Sequence, residues 1–179
     1  NSPREIAPVP EQMKKFQSEA VAKTAKNPTL SPDKSKVAFT DKENNLCVWD
    51  AATSQVKKLT TDGTNVIMNG YASWVYYEEI LGRGSRYKAF WWSPDSKTVA
   101  FYKFDDSSIS MFPIYDSRGK HGFITETRYP KAGDKNPEVK IAFANVEDGN
   151  IVWADFDHKL DQYFGIPFWN ADGSRFIIP

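Results

Sequence analysis

Two adjacent glutamates, Glu78 and Glu79, are the residues of this sequence whose types and spacing most directly suggest chemistry. They lie in the stretch WVYYEEILGR, residues 74–83, directly after three aromatic side chains and a valine. A primary ammonium group has three donors, and two carboxylates can accept them as charge-assisted hydrogen bonds. The aromatic side chains could dock this segment and exclude water, which would strengthen such an interaction. The pair is therefore a candidate site for gripping a positive charge.

A solvated acidic turn is the alternative interpretation of the same pair. Glu-Glu is a common dipeptide, and its charge would then be balanced by the basic residues that follow, which are Arg83, Arg86 and Lys88. Neighbours on a regular helix diverge by about 100 degrees, and neighbours in a strand point to opposite faces. The two carboxylates can therefore converge only on an irregular or single-turn segment, such as an insertion in a sheet could supply.

An internal repeat provides the framework that would carry such an insertion. The segment SPDKSKVAF at 31–39 matches SPDSKTVAF at 93–101, and NADGSRFII at 170–178 has the same shape. Each predicts a turn followed by an apolar strand. In the first two copies a proline sets φ at the second turn position and an aspartate follows it, and Gly173 has a comparable role in the third. Repeats of this kind indicate an array in which one small sheet recurs.

The residues between the copies predict further short strands. NLCVWD and VKKLTTDG predict two strands joined at AATSQ, and PEVKIAFANVEDGNIVWADFD predicts a hairpin about EDGN. Units of four short antiparallel strands predict an all-β fold, a partial β-propeller of about three blades. The copies start 62 and 77 residues apart, which exceeds the ~40–50 residues of common blades. The first interval therefore carries an insertion, whose natural place is near 66–90, where the glutamates are.

We expect two parts along the chain. Residues 1–28 should form an irregular, weakly helical segment, and residues 29–179 the partial propeller. A short helix can run from Pro10 to about Lys23, because proline suits the first helical position, although EAVAKTA also alternates like a strand. A closed propeller needs roughly four to eight blades. We therefore expect a fragment of a longer propeller, whose open strand edges invite pairing with another copy.

The remaining sequence excludes several classes of function. Lys plus Arg equals Asp plus Glu at 23 each, so a nucleic acid, which needs a basic surface, is not an expected partner. No apolar run approaches the ~20 residues of a membrane-spanning helix. Cys47 is alone in the apolar run LCVW and predicts a buried structural thiol.

Motifs that would mark a catalyst are missing from the sequence. There is no zinc-type cysteine cluster, P-loop, G-x-G-x-x-G or G-x-S-x-G nucleophile elbow. We expect no metal, no cofactor and no catalytic residue, so this chain should be inactive alone. Three further groups of residues are expected to have structural roles and no chemical one. Trp91 and Trp92 should lie in the blade core, and DFDHKLD at 155–161 and His121 should lie in surface loops.

Three segments, in this order, resemble the propeller domain of the dipeptidyl peptidase IV family, in the prolyl oligopeptidase group of serine peptidases. They are WVYYEEILGR, FWWSPDSKTVAFYKFDDSSISMFPIY and YPKAGDKNPEVKI. The resemblance runs from about Ser31 to the end of the chain and is strongest from Trp74 to Ile141. It implies an eight-bladed propeller that covers an α/β-hydrolase domain, with the family's catalytic Ser, Asp and His in that second domain.

The resemblance also implies a role for the paired glutamates. In the family a short helical insertion carries a double-glutamate motif, whose carboxylates hold the free α-amino group of the substrate and set the cut after its second residue. The Tyr-Glu-Glu core of that motif matches Tyr77, Glu78 and Glu79. The family also uses an arginine from an earlier propeller loop near the substrate carbonyl. Here the segment just before NPTLSPD offers Lys23 and Lys26 but no arginine.

The expected function is therefore that of a substrate-gating and N-terminus-recognition propeller domain in a dipeptidyl peptidase IV-like serine exopeptidase. That enzyme would release Xaa-Pro or Xaa-Ala dipeptides. The expected partners are peptides with a free N-terminus, the hydrolase domain of the same protein and a second copy of the chain. By resemblance the location would be the bacterial periplasm or cell surface. A non-enzymatic propeller scaffold, an inactive peptidase homologue and release of tripeptides stay open.

Overall fold

The structure, a computed structural model, describes residues 8–179. Of the irregular, weakly helical segment predicted over residues 1–28, residues 1–7 therefore lie outside the described residues. Within them the chain forms one α-helix and thirteen β-strands. In chain order these are α1 (Glu11–Ser18), β1 (Lys26–Leu30), β2 (Lys36–Thr40), β3 (Leu46–Asp50), β4 (Val56–Lys58), β5 (Ile67–Asn69), β6 (Phe90–Trp92), β7 (Thr98–Asp105), β8 (Met111–Asp116), β9 (Phe123–Arg128), β10 (Glu138–Asn145), β11 (Ile151–Trp153), β12 (Phe168–Trp169) and β13 (Phe176–Ile177).

Helix α1 follows Pro10 and lies against the first sheet. Its Phe16 is fully buried, with its ring 5.4 Å from the ring of Phe39 and 5.5 Å from that of Trp49 between centroids. A 3-10 turn, Ala20–Lys23, continues the chain to β1. The helix predicted from Pro10 is thus confirmed over Glu11–Ser18 and ends sooner than expected. Strand β1 already begins at Lys26, three residues before the predicted start of the propeller segment.

The first sheet is a four-stranded antiparallel meander in the order β1-β2-β3-β4. The second sheet contains β6, β7, β10 and β11 in the same arrangement, with β5 as an additional strand. The two sheets share a hydrophobic core, to which the first contributes Ala38, Leu46 and Val48 and the second contributes Phe90 and Phe101. Strands β12 and β13 pair only with each other. The architecture is that of a partial β-propeller, as predicted, with two four-stranded blades and a further two-stranded sheet.

The repeated turns explain why the two blades look alike. In the first copy the backbone N–H of Ser31 donates to the carbonyl of Lys36 (2.8 Å), and the N–H of Lys36 donates to Ser31 Oγ (3.0 Å). In the second copy Ser93 and Thr98 make the same two bonds, at 2.8 and 3.0 Å. Each serine hydroxyl also donates to the aspartate two residues on. One side chain thus closes the turn and sets the register of the following strand.

The third copy uses the same geometry with a different residue. Asn170 replaces serine, and its Oδ1 accepts the N–H of Arg175 at 2.9 Å while its own N–H donates to the Arg175 carbonyl. Turns of successive copies also touch: the N–H of Asp33 donates to Ser96 Oγ at 3.0 Å. The repeat read from the sequence is therefore a structural repeat.

Two excursions interrupt the second blade and have no counterpart in the first. Residues 70–89 leave the sheet between β5 and β6, which confirms the predicted insertion and narrows its bounds. Strands β8 and β9, between β7 and β10, form a two-stranded sheet that pairs with neither blade. None of the helices described is long and apolar enough to cross a membrane.

Candidate functional site: the double-glutamate insertion

The insertion starts and ends at one point on the edge of β7. Strands β5 and β6 both pair with this edge, β5 with Lys103–Asp105 and β6 with Val99–Phe101. Between these two pairings the first and last residues of the insertion, Gly70 and Ala89, lie opposite Tyr102 and form the stem of the insertion. The N–H of Gly70 donates to the Tyr102 carbonyl, the N–H of Tyr102 donates to the Ala89 carbonyl, and the N–H of Ala89 donates to the Gly70 carbonyl (2.9–3.0 Å). The base of the loop is therefore fixed to the blade core.

Gly70 is needed at this point for two reasons. Its φ is +73°, a conformation that side chains disfavour. A Cβ there would also lie 3.2 Å from the ring of Phe90 and 3.3 Å from a methyl group of Leu46. The chain can therefore leave the sheet at this position because residue 70 has no side chain.

The glutamates lie on a short helical segment at the far end of this loop. Residues Tyr76–Ile80 form a π-helical turn, closed by a bond of 2.7 Å from the Leu81 N–H to the Tyr76 carbonyl. Turns of this type are rare and are found often at functional sites. The prediction of a short helical insertion carrying Glu78 and Glu79 is confirmed.

Tyr76 anchors the turn on the blade. Its side chain is fully buried, with its ring edge-on to Phe104 at 4.9 Å between centroids. Its hydroxyl oxygen accepts the backbone N–H of Phe164 at 3.2 Å. Burial raises the pKa of this phenol to about 12, so Tyr76 stays neutral and acts as a structural residue. One side of the turn is thus held by the protein interior.

The two carboxylates have different surroundings. The Glu78 side chain is 20% exposed, and both of its oxygens are engaged: Oε2 accepts from Trp74 Nε1 at 2.9 Å, and Oε1 pairs with the guanidinium of Arg83. Glu79 is exposed, and within residues 8–179 it makes no side-chain hydrogen bond or ion pair. The structure therefore holds one member of the pair in place and leaves the other accessible. Their joint binding of an ammonium group stays a prediction.

Of the basic residues expected to balance the pair, only Arg83 does so. Arg86 lies nearby but makes no ion pair within the described part of the chain. The Lys88 ammonium lies 5.2 Å from the centroid of the Phe90 ring, and burial lowers its pKa. The charge around the glutamates is therefore only partly neutralised.

A cavity of about 320 Å³ opens beside the turn, between the insertion and the β8–β9 hairpin. Its lining includes Trp74, Tyr87, Arg128 and two buried polar side chains, Ser73 and Asp106. Neither Ser73 Oγ nor Asp106 Oδ1 has a hydrogen-bond partner among the described residues. Burial raises the pKa of Asp106 to about 6, although the nearby Ser73 hydroxyl and the Arg128 guanidinium favour the ionised form.

No sequence motif indicates that Tyr87 or Asp106 belongs to this region. Both reach it through contacts that the fold creates, and the only local hint is the density of tyrosines around the glutamates, at 71, 76, 77 and 87.

The other residues singled out from the sequence lie where simpler roles apply. Trp91 and Trp92 pack against the hydrophobic clusters of the second blade, and the Trp92 indole donates to the Thr29 carbonyl at 3.0 Å. His121 is exposed, and His158 lies 4.0 Å from a Glu138 oxygen. Within residues 8–179 no group of three or more His, Cys, Asp or Glu side chains could hold a metal ion. Cys47 is buried, as predicted, and burial raises the pKa of its thiol to about 12.

The fold and the insertion together define a propeller segment that carries paired acids on a side loop of one blade. A family model described as the dipeptidyl peptidase IV (DPP IV) N-terminal region matches residues 4–178. The chain belongs to this family.

Individual proteins agree with that assignment. The chain is 36% identical over 133 residues to a probable dipeptidyl-aminopeptidase B of Talaromyces marneffei and 38% identical over 133 residues to one of Talaromyces stipitatus. Each match covers 68% of this chain and 14% of the relative. The crystal structure of Porphyromonas gingivalis dipeptidyl peptidase 4 superimposes with a TM-score of 0.74 at 28% identity, covering 86% of this chain and 22% of that one. The chain thus spans only a small part of the length of these relatives.

Proposed function

We propose that this chain gates substrates and recognises their N-terminus in a dipeptidyl peptidase IV-like serine exopeptidase. Glu78 and Glu79 would bind the α-ammonium group of peptides from which Xaa-Pro or Xaa-Ala dipeptides are released. The observation that carries the proposal is the accessible carboxylate of Glu79, next to the fixed carboxylate of Glu78, on a turn that Tyr76 anchors in the blade.

The physical argument concerns the cost of taking a charge out of water. An ammonium group bound between two protein domains loses hydration, and it binds well only if paired and hydrogen-bonded. Two neighbouring carboxylates supply the acceptors for its donors. A peptide whose amine is blocked or displaced would leave these carboxylates desolvated and unpaired, so it would be rejected strongly. Such a site distinguishes chain ends from internal peptide bonds.

Other parts of the proposal concern what lies beyond this chain. The Ser, Asp and His that cleave the peptide bond would belong to an α/β-hydrolase domain of the same protein. Pairing with a second copy is supported by exposed apolar side chains on the β8–β9 hairpin, such as Tyr115 (67% exposed) and Ile124 (64%). The implied periplasmic or bacterial cell-surface location stays a prediction, since the curated relatives named above are fungal.

The test uses the full-length protein encoded by the reading frame that contains this chain. Glu78→Gln and Glu79→Gln should each lower kcat/KM for H-Xaa-Pro chromogenic substrates by about tenfold or more, because each removes one charge-assisted bond to the ammonium group. Glu147→Gln, at an exposed glutamate in a blade turn, is the matched control and should leave kcat/KM unchanged.

Three outcomes would contradict the proposal. Unchanged kinetics in both glutamine variants would exclude ammonium binding by the pair. Equal wild-type turnover of free and N-acetylated substrates would exclude recognition of the N-terminus. A reading frame that continues without a nucleophile elbow would favour a scaffold or an inactive homologue.

A further inference from the structure

The backbone of the insertion is strained at two consecutive residues. Arg86 has φ +51° and Tyr87 has φ +68°, in the left-handed region that residues with side chains disfavour. Two hydrogen bonds hold this conformation: Asn27 Nδ2 donates to the Arg86 carbonyl at 2.9 Å, and the Ala72 N–H donates to the Tyr87 carbonyl at 2.8 Å. Strain of this kind persists only where surrounding contacts over-determine it, and it is concentrated at functional sites.

The strained conformation places the Tyr87 ring between two other tyrosines. On one side the Tyr71 ring lies 5.0 Å away between centroids and within 6° of parallel. On the other side the Tyr77 ring lies 3.8 Å away and within 12° of parallel. The Lys26 ammonium lies over the Tyr71 ring, 4.6 Å from its centroid. The three rings form a column that connects the stem of the insertion to the turn bearing the glutamates.

The column ends at the residue next to the site. Tyr77 directly precedes Glu78 in the π-helical turn, whose opposite side is held by Tyr76 in the blade. With Tyr76 fixed on one side and Tyr77 stacked on the other, the turn cannot rotate about its axis without breaking one of the two contacts. The direction of the Glu78 and Glu79 carboxylates therefore depends on the position of the Tyr87 ring.

We propose that Tyr87 is a positioning residue for substrate recognition: its ring clamps Tyr77 and so aims the two carboxylates at the peptide's ammonium group. This inference rests on the proposed function of the glutamates. A purely structural role explains the arrangement less well. Two left-handed residues cost about as much as two stacked pairs of these partly buried rings return from stacking.

The experiment compares two substitutions at this position in the full-length protein. Tyr87→Gly deletes the ring and at the same time relieves the strain at position 87, which offsets part of the lost packing, so the melting temperature should fall only slightly. KM for H-Xaa-Pro substrates should rise about tenfold while kcat stays within about twofold. Tyr87→Phe keeps the ring and should stay within twofold of wild type in both parameters.

Further measurements separate positioning from a general loss of structure. Inhibition by free-amine Xaa-Pro dipeptide should weaken in Tyr87→Gly, whereas the rate of labelling by a small serine-reactive fluorophosphonate should not change. Ser54→Gly relieves another left-handed residue, at φ +56° in a turn of the first blade, and should leave KM unchanged. Should Tyr87→Gly not accumulate, Tyr87→Asn repeats the deletion with a residue that tolerates this backbone.

Two results would overturn the proposal. One is a wild-type KM in the variants that lack the ring. The other is an equal rise of KM in Tyr87→Phe, which would assign the effect to the hydroxyl group. These results differ from failure of the proposed function, because that would show as unchanged kinetics in Glu78→Gln and Glu79→Gln. A normal KM in Tyr87→Gly beside a defect in Glu79→Gln would refute the positioning role alone.

Discussion

Two aspartates occupy the same place in successive blades and have opposite electrostatic surroundings. Asp41 directly follows β2 and Asp106 directly follows β7, the strands that the first two repeat copies form. Both are buried, with 8% and 4% of their surface exposed. Asp41 is fully partnered: Oδ1 accepts the N–H groups of Glu43 (3.0 Å) and Asn45 (2.8 Å), and Oδ2 pairs with Lys58 Nζ at 2.8 Å. Asp106 Oδ1 has no partner among the residues described.

The two carboxyl groups therefore titrate in opposite directions. Burial disfavours the charge of Asp41, but the bonds from Lys58 and from the backbone outweigh it and lower its pKa. For Asp106 burial prevails and raises the pKa to about 6. A blade can thus bury an aspartate in its ionised or its protonated form, depending on which hydrogen bonds the next few residues donate to it.

The next few residues differ because only the second blade is interrupted. After Asp41 the chain turns within residues 42–45 into β3, and this tight turn points its backbone N–H groups at the carboxylate. After Asp106 it departs to form β8 and β9. The N–H of Ile109 bonds to the Asp106 backbone carbonyl, as that of Asn44 does to Asp41, but within residues 8–179 no backbone N–H donates to the Asp106 carboxylate. The uninterrupted blade thus satisfies its aspartate with backbone N–H groups and Lys58. In the interrupted blade Asp106 Oδ1 and Ser73 Oγ have no partner among the described residues, and both side chains line the cavity beside the double-glutamate turn.

The largest expected effect comes from removing each carboxyl group. Asp41→Ala should lower the free energy of unfolding by about 2–4 kcal/mol, because the buried N–H of Asn45, the N–H of Glu43 and the Lys58 ammonium lose their acceptor. Asp106→Ala should lower it by less than about 1 kcal/mol, since no described bond to its Oδ1 is lost. Urea denaturation at pH 7 measures both. Asp155→Ala, at an exposed aspartate, is the control. Equal losses at positions 41 and 106 would remove the contrast between the blades.

A smaller effect should appear in the pH dependence of stability. The ordinary pKa of Asp is about 3.9, and that of Asp106 is about 6 in the folded chain. The folded state therefore holds its proton more tightly, and the stability contributed by Asp106 is complete below about pH 4 and is lost as the pH rises through 6. Asp106→Asn, which cannot ionise, should match wild type near pH 4 and exceed it by about 2 kcal/mol at pH 8.

Asp41→Asn should show the opposite trend and serves as the comparison. The lowered pKa of Asp41 means that its contribution is present above about pH 4 and is lost as the pH falls through the folded-state value. Its stability deficit relative to wild type should therefore shrink in acid. Parallel stability curves for wild type and Asp106→Asn between pH 4 and 8 would show that Asp106 is not held in a raised-pKa state.

The features of the fold that could be predicted from the sequence are those set by contacts between residues close together in the chain. The repeat fixes its own turns locally, since Ser31 and Ser93 bond to residues five positions on, and the resulting strands were predictable. The helical insertion was predictable from the interval between copies and from the resemblance.

What could not be predicted depends on residues that are distant in sequence. Strands β5 and β6 share one edge of β7, and β8 and β9 form a separate hairpin. Asp106 is buried without a partner for Oδ1 among the described residues. All three features arise where segments that are distant in sequence meet. The tyrosine column joins residues 71, 77 and 87 across the whole insertion. No local pattern of residue types specifies such contacts, because their energy depends on the assembled fold.

The same contrast between an acid with a partner and an acid without one is present in the glutamate pair. The smallest of the predicted effects follows from this contrast. Glu78 is paired with Arg83, whereas Glu79 has no partner within residues 8–179. Under the proposed function a substrate ammonium must compete with the Arg83 guanidinium, whose side chain is 72% exposed. An exposed pair of this kind contributes only about 0.3–1 kcal/mol. Arg83→Met should therefore lower KM for H-Xaa-Pro substrates about two- to fivefold with kcat unchanged.

Arg86→Met is the matched control for this prediction. It removes a neighbouring exposed arginine that makes no ion pair in the described chain, so KM should change little. The difference between the two variants should shrink at high ionic strength, because salt screens exposed charges. A rise in KM for Arg83→Met would reverse the interpretation. Arg83 would then hold Glu78 in its binding position, and having a partner, rather than lacking one, would mark the functional carboxylate.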